Sequence, residues 1–334
     1  MHTLSRRNWL RKAALLASVA PFAQARATPA LVLRFTHVVA SETPKGLAAE
    51  RFKVLIEQRT NGRIQVQLFP NAQLYGDRDE MAALALGAVE FIAPSLSKFG
   101  RLGLPEFELF DLPFHYQALD DVRRISQGPL GQRLLEGLDQ HGLVGLGYFD
   151  NGFKQMSARR PLLEPADFVG LKMRIQASDV IADQMRSLGA RPVVLPFQET
   201  QRALAQGVVD GTENPLSNFW TQRMDRVQPH LSLSNHGYLG YAVITHARFW
   251  QPLPAPDRKL IQDAMRESLA FANQIADTQN ERALRSLREA NTTQIHTLKA
   301  HQLAALRRAV SPVRTRLQQR IGPQWLRTLD SLSG

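Results

Sequence analysis

From Pro256 to about Ala290 the chain contains no glycine and no internal proline. A helix of that length would extend roughly 50 Å at about 1.5 Å per residue, further than one small domain is wide. Such a helix has to run along two bodies. The length of 334 residues agrees, since a domain commonly takes about 100–200.

The remaining pattern is strand alternating with helix. Leu31 to Val38 reads as a buried strand. Thr43-Pro44 then opens a helix, with threonine at the N-cap and proline in the first turn. Ala48, Phe52, Leu55, Ile56 and Arg59 share one face of it, and Asn61-Gly62 ends it. Arg63 to Phe69 alternates with period two and stops at Pro70. A helix over about Asp77–Leu86 and a strand over about Val89–Ala93 follow. A second series has strands at Leu143–Phe149, Leu171–Gln176 and Arg191–Leu195, with helices at Val180–Leu188 and Gln198–Gln206. Val208-Val209-Asp210 and then strands at Leu231–Ser234 and Tyr241–His246 complete it. This order predicts an α/β fold. With no low-complexity linker, several crossings rather than one tether join the two bodies.

The chain has no cysteine, which excludes disulfides, thiolate nucleophiles and zinc–thiolate sites. Residues 1–27 carry Arg6, Arg7, Arg11, Lys12 and Arg26 and no acid, around an apolar run from Ala13 to Ala23. That run is too short to span a bilayer and reads as an export signal. Ser5-Arg6-Arg7-Asn8-Trp9-Leu10 fits either a twin-arginine or a Sec signal, and Ala25-Arg26-Ala27 offers a cleavage site. The net charge of +11 would suit nucleic acid, but the basic residues are scattered among acids and export separates the chain from that partner. A small anion fits better.

No His-Glu-x-x-His, Gly-x-Ser-x-Gly or Gly-x-x-x-x-Gly-Lys-Ser/Thr motif occurs, and no histidine pair has metal-ligand spacing. No enzyme, cofactor or metal site is expected. The most informative residue is Arg174. In Leu171-Lys-Met-Arg-Ile-Gln176 it shares a strand face with Lys172 and Gln176. Ligands of open α/β sheets lie beyond the carboxyl ends of strands, and a guanidinium there matches a carboxylate bidentately. The alternative is a surface arginine on an edge strand. His37, Ser95, Lys98, Asn151 and Lys154 stand at comparable strand ends, with Phe197 and Asn214 beyond the next strands. Their recurrence there suggests a cleft.

At this point a family resemblance is visible. It rests on Phe35-Thr-His-Val-Val39, Thr43-Pro-Lys-Gly46, Phe69-Pro-Asn-Ala-Gln-Leu74, Asp150-Asn-Gly-Phe-Lys-Gln-Met156, Gly170-Leu-Lys-Met-Arg-Ile175, Gly207-Val-Val-Asp-Gly-Thr-Glu-Asn-Pro215 and Asn235-His-Gly-Tyr-Leu-Gly-Tyr241. Over about residues 31–290 the chain resembles the periplasmic solute-binding subunit of tripartite ATP-independent periplasmic (TRAP) transporters. The resemblance implies a two-lobed clamp with an interdomain cleft and a long helix spanning both lobes. One lobe would comprise residues 28–151 and 240–279, the other 152–239 and 280–334. It implies a substrate carboxylate on Arg174, with Asn214 and Phe197 in the cleft and His236 among the site residues. Lys154 stands where sialic-acid-binding relatives carry arginine, and Ser95 where they carry an acid. Lys98 and Lys154 look like the C4-dicarboxylate branch, so Arg174 with either lysine would anchor two carboxylates. The implied partners are a small organic dicarboxylate and the small and large TRAP membrane subunits, the protein itself being a monomer. A sugar acid or keto acid as ligand, a role as the sensing partner of a membrane receptor, and an exported enzyme are the alternatives.

Overall fold

The computed structural model describes residues 31–332; the expected export signal lies outside them. One nine-stranded sheet organises the chain, in the order β2-β1-β3-β8-β4-β7-β5-β6, with β9 paired to β8. Its first part is built from β1 (Leu31–Thr36), α1 (Pro44–Arg59), β2 (Ile64–Phe69), α2 (Glu80–Ala85) and β3 (Phe91–Ile92). As expected, Thr43 caps α1, its hydroxyl accepting the Gly46 N–H at 3.2 Å. Gly46 is required there, because a Cβ would lie 2.4 Å from the Ala40 carbonyl oxygen. Two 3-10 segments, Leu96–Leu102 and Pro105–Asp111, then lead to α3 (Leu119–Ser126) and α4 (Pro129–Glu136).

The main difference from the sequence reading is β4, which runs over Leu143–Ala158 rather than stopping at Phe149. Asn151 and Lys154 therefore lie inside a strand, not after one. The second half of the sheet follows: β5 (Lys172–Ile175), α5 (Asp179–Ser187), β6 (Arg191–Val194), α6 (Thr200–Ala205), β7 (Gly211–Pro215) and α7 (Leu216–Thr221). The strand expected at residues 208–210 begins at Gly211 instead, so Asn214 too is a strand residue. The two strands expected within 231–246 are one, β8 (His230–His246). α8 (Ala247–Trp250), α9 (Ala255–Ala290), β9 (Gln294–Thr297), α10 (Ala300–Val310), α11 (Pro312–Ile321) and α12 (Pro323–Leu332) complete the chain. Among the described residues no helix is long and apolar enough to cross a membrane.

β1, β2 and β3 are mutually parallel, as are β5, β6 and β7. β4 and β8 lie between these two sets and run antiparallel to each other, with bulges at Gly145/Gly147, Asp150/Gly152 and Lys154/Met156. A bulge bends and twists the strand that carries it, so both halves hang on two kinked strands. Glycine and aromatic residues in these stretches hid the long strands from the sequence reading, because a bulge resets the period-two pattern.

The core has two layers, one on each face of the sheet. Neighbours along β8 alternate between them: Tyr238, Ala242 and Ile244 pack into one cluster, Leu239, Tyr241 and Val243 into the other. The 36-residue α9 fastens to both halves. Near its start Arg63 pairs with Asp257 and Arg59 with Glu267. Further on, Asn273 accepts the Asp150 N–H at 2.9 Å and Asn280 donates to the Asn151 carbonyl at 2.6 Å. The helix thus pins β4 at its central bulge, where the ladder leaves backbone groups in need of partners.

Candidate functional site

β5 sits between β7 and β6, so Arg174 is on an inner strand and the edge-strand alternative is set aside. Its side chain is 2% exposed. Nε and Nη2 both donate to the Leu195 carbonyl, at 3.0 and 2.8 Å, and the guanidinium stands 5.9 Å from the centre of the Phe197 ring. Among the described residues it forms no ion pair. Burial pulls its pKa below the usual arginine value, opposed by the fields of Asp77 and Glu213. A buried cation without a counter-ion is costly, and it is most readily explained as a receptor for an anion.

Two neighbouring spaces adjoin this region. The outer one, about 420 Å³, is lined by Asp77, Arg78, Lys98, Arg101, Arg174 and Gln176 among others. Of its four cations, Arg78, Lys98 and Arg101 are paired with acids, which leaves Arg174 as the lining cation without an ion pair. The inner one, about 20 Å³, is bounded by Ser95, Gln176, Phe197, Asn214, Asn218 and Tyr241 among others. Asp77 and Gln176 border both. The inner space has room for about one water, so a larger ligand requires its walls to part. Its polar lining is incompletely satisfied: Ser95 Oγ and Asn218 Oδ1 are buried without hydrogen-bond partners. The spaces are closed over by contacts between the loop after β2 and the loop after β6. Asp77 accepts the Phe197 N–H at 2.6 Å, and Arg78 pairs with Glu199 at 3.2 Å.

The structure thus brings together Arg174, Lys98, Ser95, Phe197 and Asn214 from the sequence-predicted set. The two lysines do not stand open as second anchors. Lys98 contacts both Asp77 and Glu80; burial disfavours its charge, but the two acids outweigh that and raise its pKa. Lys154 donates to Glu213 at 2.9 Å and has Asp111 at 3.8 Å. A cation already neutralised in the interior has little to offer a ligand carboxylate.

His236 belongs to the same buried group as Lys154. Its Nε2 is 2.8 Å from Glu213 Oε2 and its Nδ1 is 2.7 Å from Ser234 Oγ. Serine, histidine and glutamate in series look like a hydrolytic relay. However, Ser234 is 4% and His236 1% exposed, and Lys154 shares the carboxylate. Burial would raise the pKa of Glu213, yet Lys154 and His236 overcome it and hold the group down to about 2. The chain of bonds knits β7 to β8 and presents no nucleophile. His37 is likewise buried, its pKa depressed to about 3 by burial and then by Lys45. Both side-chain polar atoms of Asn151 are buried without partners beside the bulge. No cluster among the described residues could hold a metal ion.

Sequence reasoning missed Asp77, Gln176, Asn218, Tyr241 and Lys45. Gln176 shared the strand face of Arg174, and Lys45 gave a signal of its own: a lysine in the first turn of α1 opposes the helix dipole. Its side chain is wholly buried.

An α/β clamp closed by facing loops over a buried, unpaired arginine defines a solute-binding protein. Comparison with known proteins agrees. The family described as bacterial extracellular solute-binding protein, family 7, matches residues 35–320. The C4-dicarboxylate-binding periplasmic protein DctP of Rhodobacter capsulatus is 50% identical over 294 residues, covering 88% of each chain. A TRAP periplasmic solute-binding protein from Shewanella oneidensis, solved with bound succinate, superposes with a TM-score of 0.89 at 41% identity, over 92% of this chain and 100% of that one. One from Pseudomonas aeruginosa, solved with bound L-malate, gives 0.83 at 38% identity, over 86% and 99%. The chain belongs to solute-binding protein family 7.

Proposed function

We propose that this protein captures a C4-dicarboxylate of the succinate, fumarate or malate type in the periplasm and delivers it to the membrane subunits of a TRAP transporter. The observation that carries the reading is Arg174, a buried guanidinium with no acid at ion-pair distance, lining the outer space and standing beside Phe197 of the inner one. The named ligands of similar proteins support it. Residues 1–27 would direct export by the twin-arginine or Sec route. The protein's part is capture, not catalysis, since the buried Ser234–His236–Glu213 series offers no open nucleophile. The lobes would divide at about residues 151 and 240, beside the Asp150/Gly152 bulge and its β8 partners Gly240 and Leu239. Bending there would open the facing loops and admit ligand, whose differential affinity for the closed state would favour closure.

Calorimetry on the mature chain tests the proposal. Succinate and malate should bind well and butyrate poorly. Preference for a sugar acid such as galactonate, or equal binding of succinate and butyrate, would overturn the dicarboxylate assignment. Conversion of the bound acid would overturn the binding-only role.

A further inference from the structure

Among the described residues Lys45 is, after Arg174, a second buried cation without an acid at ion-pair distance. Its Nζ donates to the Ala93 carbonyl at 2.9 Å and lies 3.6 Å from the centre of the Tyr241 ring. One contact belongs to the wall of the inner space and the other lies next to it. Tyr241 lines it, and Ala93 is two residues before Ser95, which also lines it and bridges to Tyr241. Arg174 approaches the same space from the opposite half of the sheet, through Phe197. Two uncompensated cations therefore flank one small chamber whose Ser95 and Asn218 oxygens lack partners.

We propose that Lys45, rather than Lys98 or Lys154, is the counter-charge for the second carboxylate of the ligand, and so the residue that sets the preference for diacids over monoacids. The inference rests on the dicarboxylate reading. A carbonyl and an aromatic face hold an ammonium in place without neutralising it. An arriving carboxylate supplies the missing charge, and the flexible four-carbon stem lets the ammonium turn towards it. The charged groups around Lys45 do not do so already. Glu80 and Asp77 act on it from the loop after β2 and the start of α2, but both contact Lys98, which itself repels Lys45. His37, at the end of β1, is neutral, and Tyr241 is a phenol. Burial, the largest influence, lowers the Lys45 pKa to about 7, and a carboxylate beside it would favour the charged form again.

The test is titration of the mature wild type, Lys45→Met and Lys45→Gln with succinate and with butyrate, alongside ligand-free melting. Both neutral variants should fold. Succinate affinity should fall by roughly 30-fold or more, and butyrate affinity should stay within about threefold, collapsing the selectivity ratio. If the wild type itself fails to prefer succinate, the dicarboxylate reading falls. If the wild type discriminates and the variants discriminate equally well, the reading stands and the Lys45 assignment is overturned. Lys45→Gln keeps a donor for the Ala93 carbonyl, so it stands in if Lys45→Met does not fold. Failure of both to fold would make Lys45 structural and overturn the assignment as well.

Discussion

The Asp77 carboxylate accepts the Phe197 backbone N–H across the mouth of the cleft, and Phe197 in turn stands beside Arg174. Under the proposed function, closure and ligand contact are joined through one residue. Asp77→Ala should speed ligand release, because a charge-assisted hydrogen bond of about 1.5–3 kcal/mol would be lost from the closed state. Stopped-flow dissociation should show a roughly 10- to 100-fold faster off-rate. An unchanged rate would mean that other contacts hold the mouth shut.

Arg174→Ala should weaken succinate binding by roughly 30- to 5,000-fold, corresponding to about 2–5 kcal/mol for removing one side of a buried charge pair. Arg174→Lys keeps charge but not the fork, and should also bind less tightly. Lys172→Ala should matter much less, since Lys172 donates to the Gly207 carbonyl at the other end of β5. Titrations of the three variants check this. Wild-type affinity in Arg174→Ala would move the site elsewhere.

Lys154→Met should act on folding. It strips the buried Glu213 of a partner 2.9 Å away and leaves a charge in the interior. The expected loss is about 3–5 kcal/mol in ligand-free urea unfolding. The double variant Lys154→Met/Glu213→Gln should lose less than the two single changes added together. A ligand-free stability equal to wild type would show that Lys154 does no structural work.

His37 predicts a pH dependence. Its folded-state pKa lies near 3, below the ordinary 6.5, so folding releases its proton at acid pH. Its stabilising contribution is complete above about pH 6.5 and is lost as pH falls towards 3, at up to about 1.4 kcal/mol per pH unit. Glu213 adds a loss of the same sign only below about 4.5, because its pKa is depressed from there to about 2. Between pH 6.5 and 4.5 the wild type should therefore lose stability relative to His37→Gln as the pH falls, since the background groups, Glu108 with its raised pKa among them, are common to both. Parallel denaturation curves across that window would count against the assignment.

What sequence alone could determine was local. Thr43-Pro44 specified the start of α1, Asn61-Gly62 its end, and the unbroken run to Ala290 specified α9, because capping, backbone freedom and periodicity depend on neighbours a few residues apart. Arg174 was legible for the same reason: strand alternation set which face of β5 carries it. Tertiary structure decided which charges were already neutralised. Lys98 and Lys154 looked like anchors until folding brought Asp77, Glu80, Asp111 and Glu213 to them from 18 to 59 residues away along the chain. Lys45, which the sequence did not single out as an anchor, is buried by the fold against Ala93 and Tyr241 without an acid at ion-pair distance. The length of β4 and β8 was likewise hidden, since bulges break the alternation by which strands are recognised. Local pattern carries backbone conformation; the net charge of a buried site is a sum over residues that only the folded chain brings together.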